Sequence, residues 1–333
     1  MSANKKVKAK ITAVGMYVPE KILDNKYFET IVDTTDEWIT TRTGIKERRI
    51  LENGGTSVLA TNAVLDLIKS FSINPTEIDC IITCTITPDM FFPSTSALVQ
   101  HNIGAHNAWG FDLSGACSGF IFGLQTGAAF VESQRYKKVL VIGADKMSSI
   151  VDYADRNTCI LFGDGAACVL LEPTEDLNYG IHDSILGLDG SGKDALYMKA
   201  GGSLYPATEE TVKNRWHYVY QDGKAVFKVA VIKMADLAVE IMQRNNLKSD
   251  DIAYLVPHQA NMRIIDATAE RMGISKDKVM INIEKYGNTT AATIPLCLAE
   301  YYKAGKLKKD DNLILAAFGG GYTFGSMYLT WSL

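Results

Sequence analysis

Phe111-Asp112-Leu113-Ser114-Gly115-Ala116-Cys117-Ser118-Gly119-Phe120 starts as an apolar, strand-like run, breaks at Gly115, and resumes as a helix pattern that continues to Ser133. This reading puts Cys117 where a buried helix begins. Helix starts carry unpaired N–H groups and about half a positive charge, which favours an anion there. A thiol so placed is expected to have a lowered pKa. Gly115, Ala116, Ser118 and Gly119 are small and leave room beside the sulfur. The stretch fits a nucleophile, and it also fits a small buried core cysteine.

Outward from this point, strands and helices alternate. Ser57 to Phe71 carries apolar residues at helical spacing, and Asp79 to Thr85 is a buried strand. Ser96 to Asn102 reads as a helix, and further strands fall at Lys10–Gly15, Lys138–Ala144 and Ala166–Leu171. Asp33 to Trp38 reads as a short helix, followed by a basic turn from Thr41 to Arg49. The polar stretch Pro173 to Asn178 separates two halves, residues 1–178 and 179–333.

The second half repeats the plan. It has strands at Tyr179–Leu188, Asp251–His258, Val279–Ile283 and Leu313–Phe318, with helices at Phe227–Asn245 and Ile264–Met272. Thirty-nine positions separate Ile78 from Cys117, and 36 separate Ile252 from Asn288. Asn288 is therefore expected to hold the helix-start position that Cys117 holds in the first half. The alternation predicts two packed α/β units with parallel-rich sheets.

A cysteine nucleophile needs partners. Of five histidines, His258 alone ends a buried strand, in Val256-Pro257-His258-Gln259-Ala260-Asn261. Strand ends are where α/β proteins place site residues. Gly319-Gly320-Gly321 follows a strand and exposes N–H groups that could serve an oxyanion.

Composition bounds the rest. The 333 residues are 47% hydrophobic and suffice for a large core. A net charge of −4 gives no reason to expect nucleic-acid binding. Six cysteines without a CxxC pair imply neither disulfides nor zinc, and fit a reducing cytoplasm. No secretory signal is read in Met1 to Lys10, and no membrane span is expected.

Several motifs carry a resemblance. Ala116-Cys117-Ser118-Gly119-Phe120, Pro257-His258-Gln259-Ala260-Asn261-Met262-Arg263, Gly287-Asn288-Thr289-Thr290-Ala291-Ala292 and Phe318-Gly319-Gly320-Gly321 resemble the β-ketoacyl-acyl-carrier-protein synthase III family. Trp38 to Ile45 and Phe162 to Ala167 match as well, so the resemblance spans nearly the whole chain. It implies a thiolase-like fold of two duplicated halves, layered α/β/α/β/α, and a homodimer. It implies a decarboxylating Claisen condensation of a short acyl-CoA with malonyl-acyl carrier protein, the two being substrates with no cofactor. Cys117 would carry the acyl group, His258 and Asn288 would stabilise the enolate, and the Cys117 and Gly320 N–H groups would form the oxyanion hole. Trp38 and Arg156 would stack on the adenine of CoA. Arg42, Asn261 and Arg263 would meet its phosphates and pantetheine arm, and Lys228 with Arg263 would help dock the carrier. Phe92, from the partner subunit, and Phe318 would shape the acyl pocket.

Two departures stand out. Ala269-Glu270-Arg271 lacks the consecutive lysines of some relatives, and Phe324 stands where Trp is usual. The alternatives are a polyketide-type ketosynthase of secondary metabolism, a thiolase using Cys297, and a catalytically silent acyl-binding scaffold. Gly187 to Asp194 nearly fits a P-loop, but Asp194 stands where a magnesium-binding hydroxyl is needed.

Overall fold

The computed structural model describes residues 6–333. Lys8–Tyr17, Asp164–Thr174, Val139–Lys146, Cys80–Cys84 and Trp109–Leu113 form one sheet in that spatial order. The last three strands are parallel, and the other two pairings are antiparallel. The second sheet, Gly180–Leu188, Thr323–Thr330, Asn312–Gly319 and Tyr254–Pro257, repeats the same order and sense.

Alternation along each strand sorts side chains into layers. Ile82, Cys84, Val139 and Val141 of the first sheet and Val256, Leu313, Leu315 and Ala317 of the second face a shared central layer. That layer holds the helices Gly119–Glu132 and Thr293–Lys303. The opposite face of the first sheet packs on Thr56–Phe71 and Thr95–Ile103, and that of the second on Gly223–Arg244 and Met262–Met272. The stack is α/β/α/β/α. The central helix sits close to its sheet because Gly119, Gly123 and Gly127 recur every fourth residue on one face. A Cβ at Gly123 would lie 2.4 Å from Cys84 Sγ, and one at Gly127 2.9 Å from Leu171 Cδ1. At the variant position Phe324, the ring covers Gly187, where a Cβ would come within 2.0 Å of it.

The two main sheets are mixed rather than parallel-rich, with three parallel and four antiparallel pairings, and three further expectations need correction. Val279–Ile283 is not a strand: a single bridge joins Val279 to Leu255, and Ile283–Tyr286 is helical. The Gln259 side-chain oxygen takes the N–H groups of Asn282 and Ile283, which removes them from any ladder. The basic turn is likewise ordered structure. Thr35 caps a helix over Asp36–Thr43, three residues later than expected, Gly44 ends it at φ 83°, and Glu47–Ile50 is a strand. Within that strand Arg48 is fully buried, bonding the Ile160 carbonyl and Asn25 Oδ1 with its guanidinium 4.5 Å from the Phe28 ring centroid.

The third correction concerns the overlay of the halves. Ala116 at φ 46° and Thr290 at φ 53° each open one tight turn, Ala116–Ser118 and Thr290–Ala292, ahead of a central helix. The counterpart of Cys117 is therefore Ala291, which lies 39 positions from Ile252 as Cys117 does from Ile78. Asn288 stands three residues earlier, on the approach to the turn.

Candidate active site

A cavity of about 1090 Å³ reaches the start of both central helices. Exposed Trp38, Arg42 and Arg263 line its outer part, whereas Cys117, His258, Asn288 and Phe318 are buried. Asn261 and Gly320 line it too. Arg156, Lys228 and Phe92 do not belong to this lining. Arg156 lies over the Trp38 ring, 5.1 Å from its centroid, with Asp33 at 3.4 Å. Lys228 is exposed, one residue past the cavity-lining Phe227. Phe92 is 85% exposed beside Phe91, before the helix Thr95–Ile103.

His258 and Asn288 are each held by hydrogen bonds. The N–H of His258 continues the parallel pairing by donating to Ala316 O at 2.8 Å. Its Nδ1 lies 2.7 Å from Thr293 Oγ1, and that hydroxyl lies 3.0 Å from Thr290 O. Burial pushes the imidazole pKa down to about 3, so the ring is neutral near pH 7. Asn288 Oδ1 accepts the Thr290 N–H at 2.9 Å. That bond fixes the amide orientation, because an N–H must meet an oxygen, and it leaves Nδ2 as a donor. The Asn288 backbone bonds Leu161 O and Gly163 N, which ties the Phe162-Gly163 motif of one half to the other.

The thiol departs from expectation. Burial, with the Asp145 carboxylate second, pushes Cys117 up to about 12 rather than down. Asp145 is fully buried, and burial raises its own pKa to about 6. It accepts from the Thr85 and Thr87 hydroxyls, from the Ile86 and Thr87 N–H groups, and from the Ala291 N–H at the opposite helix start. Asp145, Thr293 and Arg48 were not singled out from sequence. For Thr293 a signal existed, since it immediately follows the Asn288 motif, three positions past Thr290.

At the cavity's outer part, Asn261 caps the helix Met262–Met272 by accepting the Arg263 N–H, and its Nδ2 donates to Arg42 O at 2.9 Å. The Arg263 guanidinium covers Phe227, 4.3 Å from the ring centroid. Gly187–Asp194 forms the end of a strand and a short 3-10 turn, Gly190–Asp194, rather than a phosphate loop followed by a helix.

Five layers enclosing a cysteine at a helix start, with a histidine and an asparagine lining the same cavity, define a thiolase-like condensing enzyme. Residues 111–190 match the family described as 3-oxoacyl-[acyl-carrier-protein] synthase III, and residues 242–331 match its C-terminal family. The chain belongs to that family, and it is an acyltransferase, an initiating condensing enzyme of fatty-acid synthesis. It is 59% identical to a beta-ketoacyl-[acyl-carrier-protein] synthase III of Chlorobaculum tepidum, over 98% of this chain and all of that one. Its fold matches a crystal structure of the Aquifex aeolicus synthase III at TM-score 0.89 and 42% identity, covering 97% of this chain and 100% of that chain. It also matches the priming β-ketosynthase of the R1128 polyketide pathway at TM-score 0.91 and 33% identity, covering 100% of this chain and 98% of that one.

Proposed function

We propose that Cys117 takes the acyl group of a short acyl-CoA and that His258 and Asn288 then drive its condensation with malonyl-acyl carrier protein. In the first half-reaction the Cys117 sulfur bonds the acyl carbon, the bond to CoA sulfur breaks, and the thiol proton leaves with CoA. In the second, malonyl thioester loses CO₂ and its carbanion bonds the acyl carbon. The Cys117–acyl bond breaks, and one proton restores the thiol. No cofactor is needed, because the thioester carbonyl itself accepts the electrons released with CO₂.

The observation that carries the reading is the fixed orientation of the Asn288 amide in the same cavity as a neutral, buried His258. Asn288 Nδ2 and, with Nδ1 accepting from the Thr293 hydroxyl, His258 Nε2 are two neutral donors that can hold an enolate oxygen formed only after CO₂ departs. The Cys117 and Gly320 N–H groups would serve the tetrahedral intermediates. Trp38 and Arg156 would clasp the adenine once Arg156 swings from its exposed ion pair with Asp33. Arg42, Arg263 and Lys228 present positive charge for CoA and the carrier, while Asn261 braces that region. Phe318 shapes the acyl end.

The division at residue 178 belongs to the same reading, with one half carrying Cys117 and the other His258 and Asn288. A homodimer is supported by the edge strand Trp109–Leu113 and the exposed Phe91 and Phe92, which a second copy would cover. Light scattering that gives a monomer mass would overturn it. Six unpaired cysteines fit the cytoplasm, and no described helix is long and apolar enough to cross a membrane.

The half-reactions separate the roles. Cys117→Ser is expected to abolish acyl transfer from CoA. His258→Ala and Asn288→Ala are expected to keep acylation but to slow decarboxylation roughly 10²–10³-fold. Equal loss of both half-reactions in all three variants would contradict the assignment.

A further inference from the structure

We propose that the Thr290 hydroxyl is a third polar contact for the extender unit and binds the carboxylate of the malonyl thioester. The proposal rests on the decarboxylating role assigned above to His258 and Asn288. Thr290 is 2% exposed and lines the cavity, yet its Oγ1 has no hydrogen-bond partner among the described residues. The Ser118 and Thr289 hydroxyls are also buried and unpartnered, but neither residue lines the cavity. A buried hydroxyl without a partner costs free energy unless a ligand or water supplies one.

The backbone of Thr290 strengthens the case. At φ 53°, a β-branched residue is strained, and such strain gathers at functional sites. The same residue touches both neighbouring groups. Its N–H holds Asn288 Oδ1, and its carbonyl lies 3.0 Å from Thr293 Oγ1, the group facing His258 Nδ1. The hydroxyl therefore belongs to the unit that orients the pair on the thioester oxygen. In a malonyl thioester one methylene separates that carbonyl from the carboxylate, so both can reach this unit together.

A hydroxyl also suits the chemistry better than a cation would. A cation on the carboxylate would stabilise the ground state and oppose loss of CO₂. A single neutral donor can hold the carboxylate so that the breaking C–C bond lies across the thioester plane. The arginines of the lining, Arg42 and Arg263, are exposed, whereas Thr290 is buried.

Thr290→Ser and Thr290→Ala both remove the γ-methyl group and differ only in the hydroxyl, so their comparison cancels the effect on strain. Acylation of Cys117 by acetyl-CoA would be followed by mass spectrometry, and malonyl-carrier decarboxylation by steady-state kinetics. Both variants are expected to acylate within about twofold of the parent. The alanine variant is expected to raise the malonyl-carrier KM roughly tenfold, the scale of a hydrogen bond to a charged group, with the acetyl-CoA KM unchanged. The serine variant should keep the parent KM. Equal malonyl KM values for the two variants would overturn the proposal, as would loss of acylation in the alanine variant. A parent enzyme that acylates but never decarboxylates would instead overturn the underlying role of His258 and Asn288.

Discussion

The Cys117 thiol sits where two electrostatic effects oppose each other. A helix start favours the thiolate by about 0.3–2 kcal/mol. Burial and the nearby Asp145 move the thiol from 9.0 to about 12, which corresponds to about 4 kcal/mol the other way. The larger effect wins, so the resting residue is a neutral thiol. Its alkylation by iodoacetamide, located by mass spectrometry, is expected to rise roughly tenfold per pH unit from about pH 7 to about pH 10. A plateau below about pH 8 would show that the helix start dominates after all.

Four cavity-lining residues named from sequence share one property: each lies within a short motif beside a strand end or a glycine. Cys117, His258, Asn288 and Gly320 are of this kind. The residues that sequence reading did not find act through distant partners. Thr293 meets His258 across 35 positions, Arg48 meets Ile160 across 112, and Asp145 meets Ala291 across 146. Nothing local marks the partners of Arg48 and Asp145. Arg48 shows the cost most plainly, since a run of charges is ordinarily solvated, and here its middle member lies in the core.

Among the elements, the central helix Gly119–Glu132 depends on its glycine face. Its apolar residues were readable from periodicity, but its closeness to the sheet was not, because that depends on what stands opposite. Gly123→Val would drive a branched side chain into Cys84 Sγ. It is expected to destabilise the fold by about 1–3 kcal/mol, seen as a lower urea midpoint. It should also slow acylation, since the same helix positions Cys117. A variant with an unchanged midpoint would mean that the helix has room to retreat. The overlay of the halves failed at this scale for a similar reason. Spacing measured to a chemically interesting residue missed the turn itself, whereas the positive-φ pair Ala116 and Thr290 marks the true correspondence.

For the whole molecule, alternation of strands and helices sufficed to anticipate two α/β halves. The shared central layer came from the resemblance, and the second sheet's replacement of a strand by a bridge was not anticipated. Lys8–Tyr17 pairs with Asp164–Thr174, and Thr323–Thr330 lies between Gly180–Leu188 and Asn312–Gly319. Past that last strand Trp331 is fully buried, and Ser332 Oγ donates to Ile11 O at 2.5 Å. Thr323 Oγ1 also donates to the carbonyl of Gly115, two residues before the nucleophile.

That placement of Thr323–Thr330 sets the order of events during synthesis. A nascent chain still holding this segment inside the ribosome has an open gap in its second sheet and an untethered Gly115. Final assembly must then wait until the segment has emerged. Deleting residues 323–333 is accordingly expected to give an aggregating product, visible as loss of soluble protein on expression, and a soluble, acylating truncate would show that the gap can close without the segment.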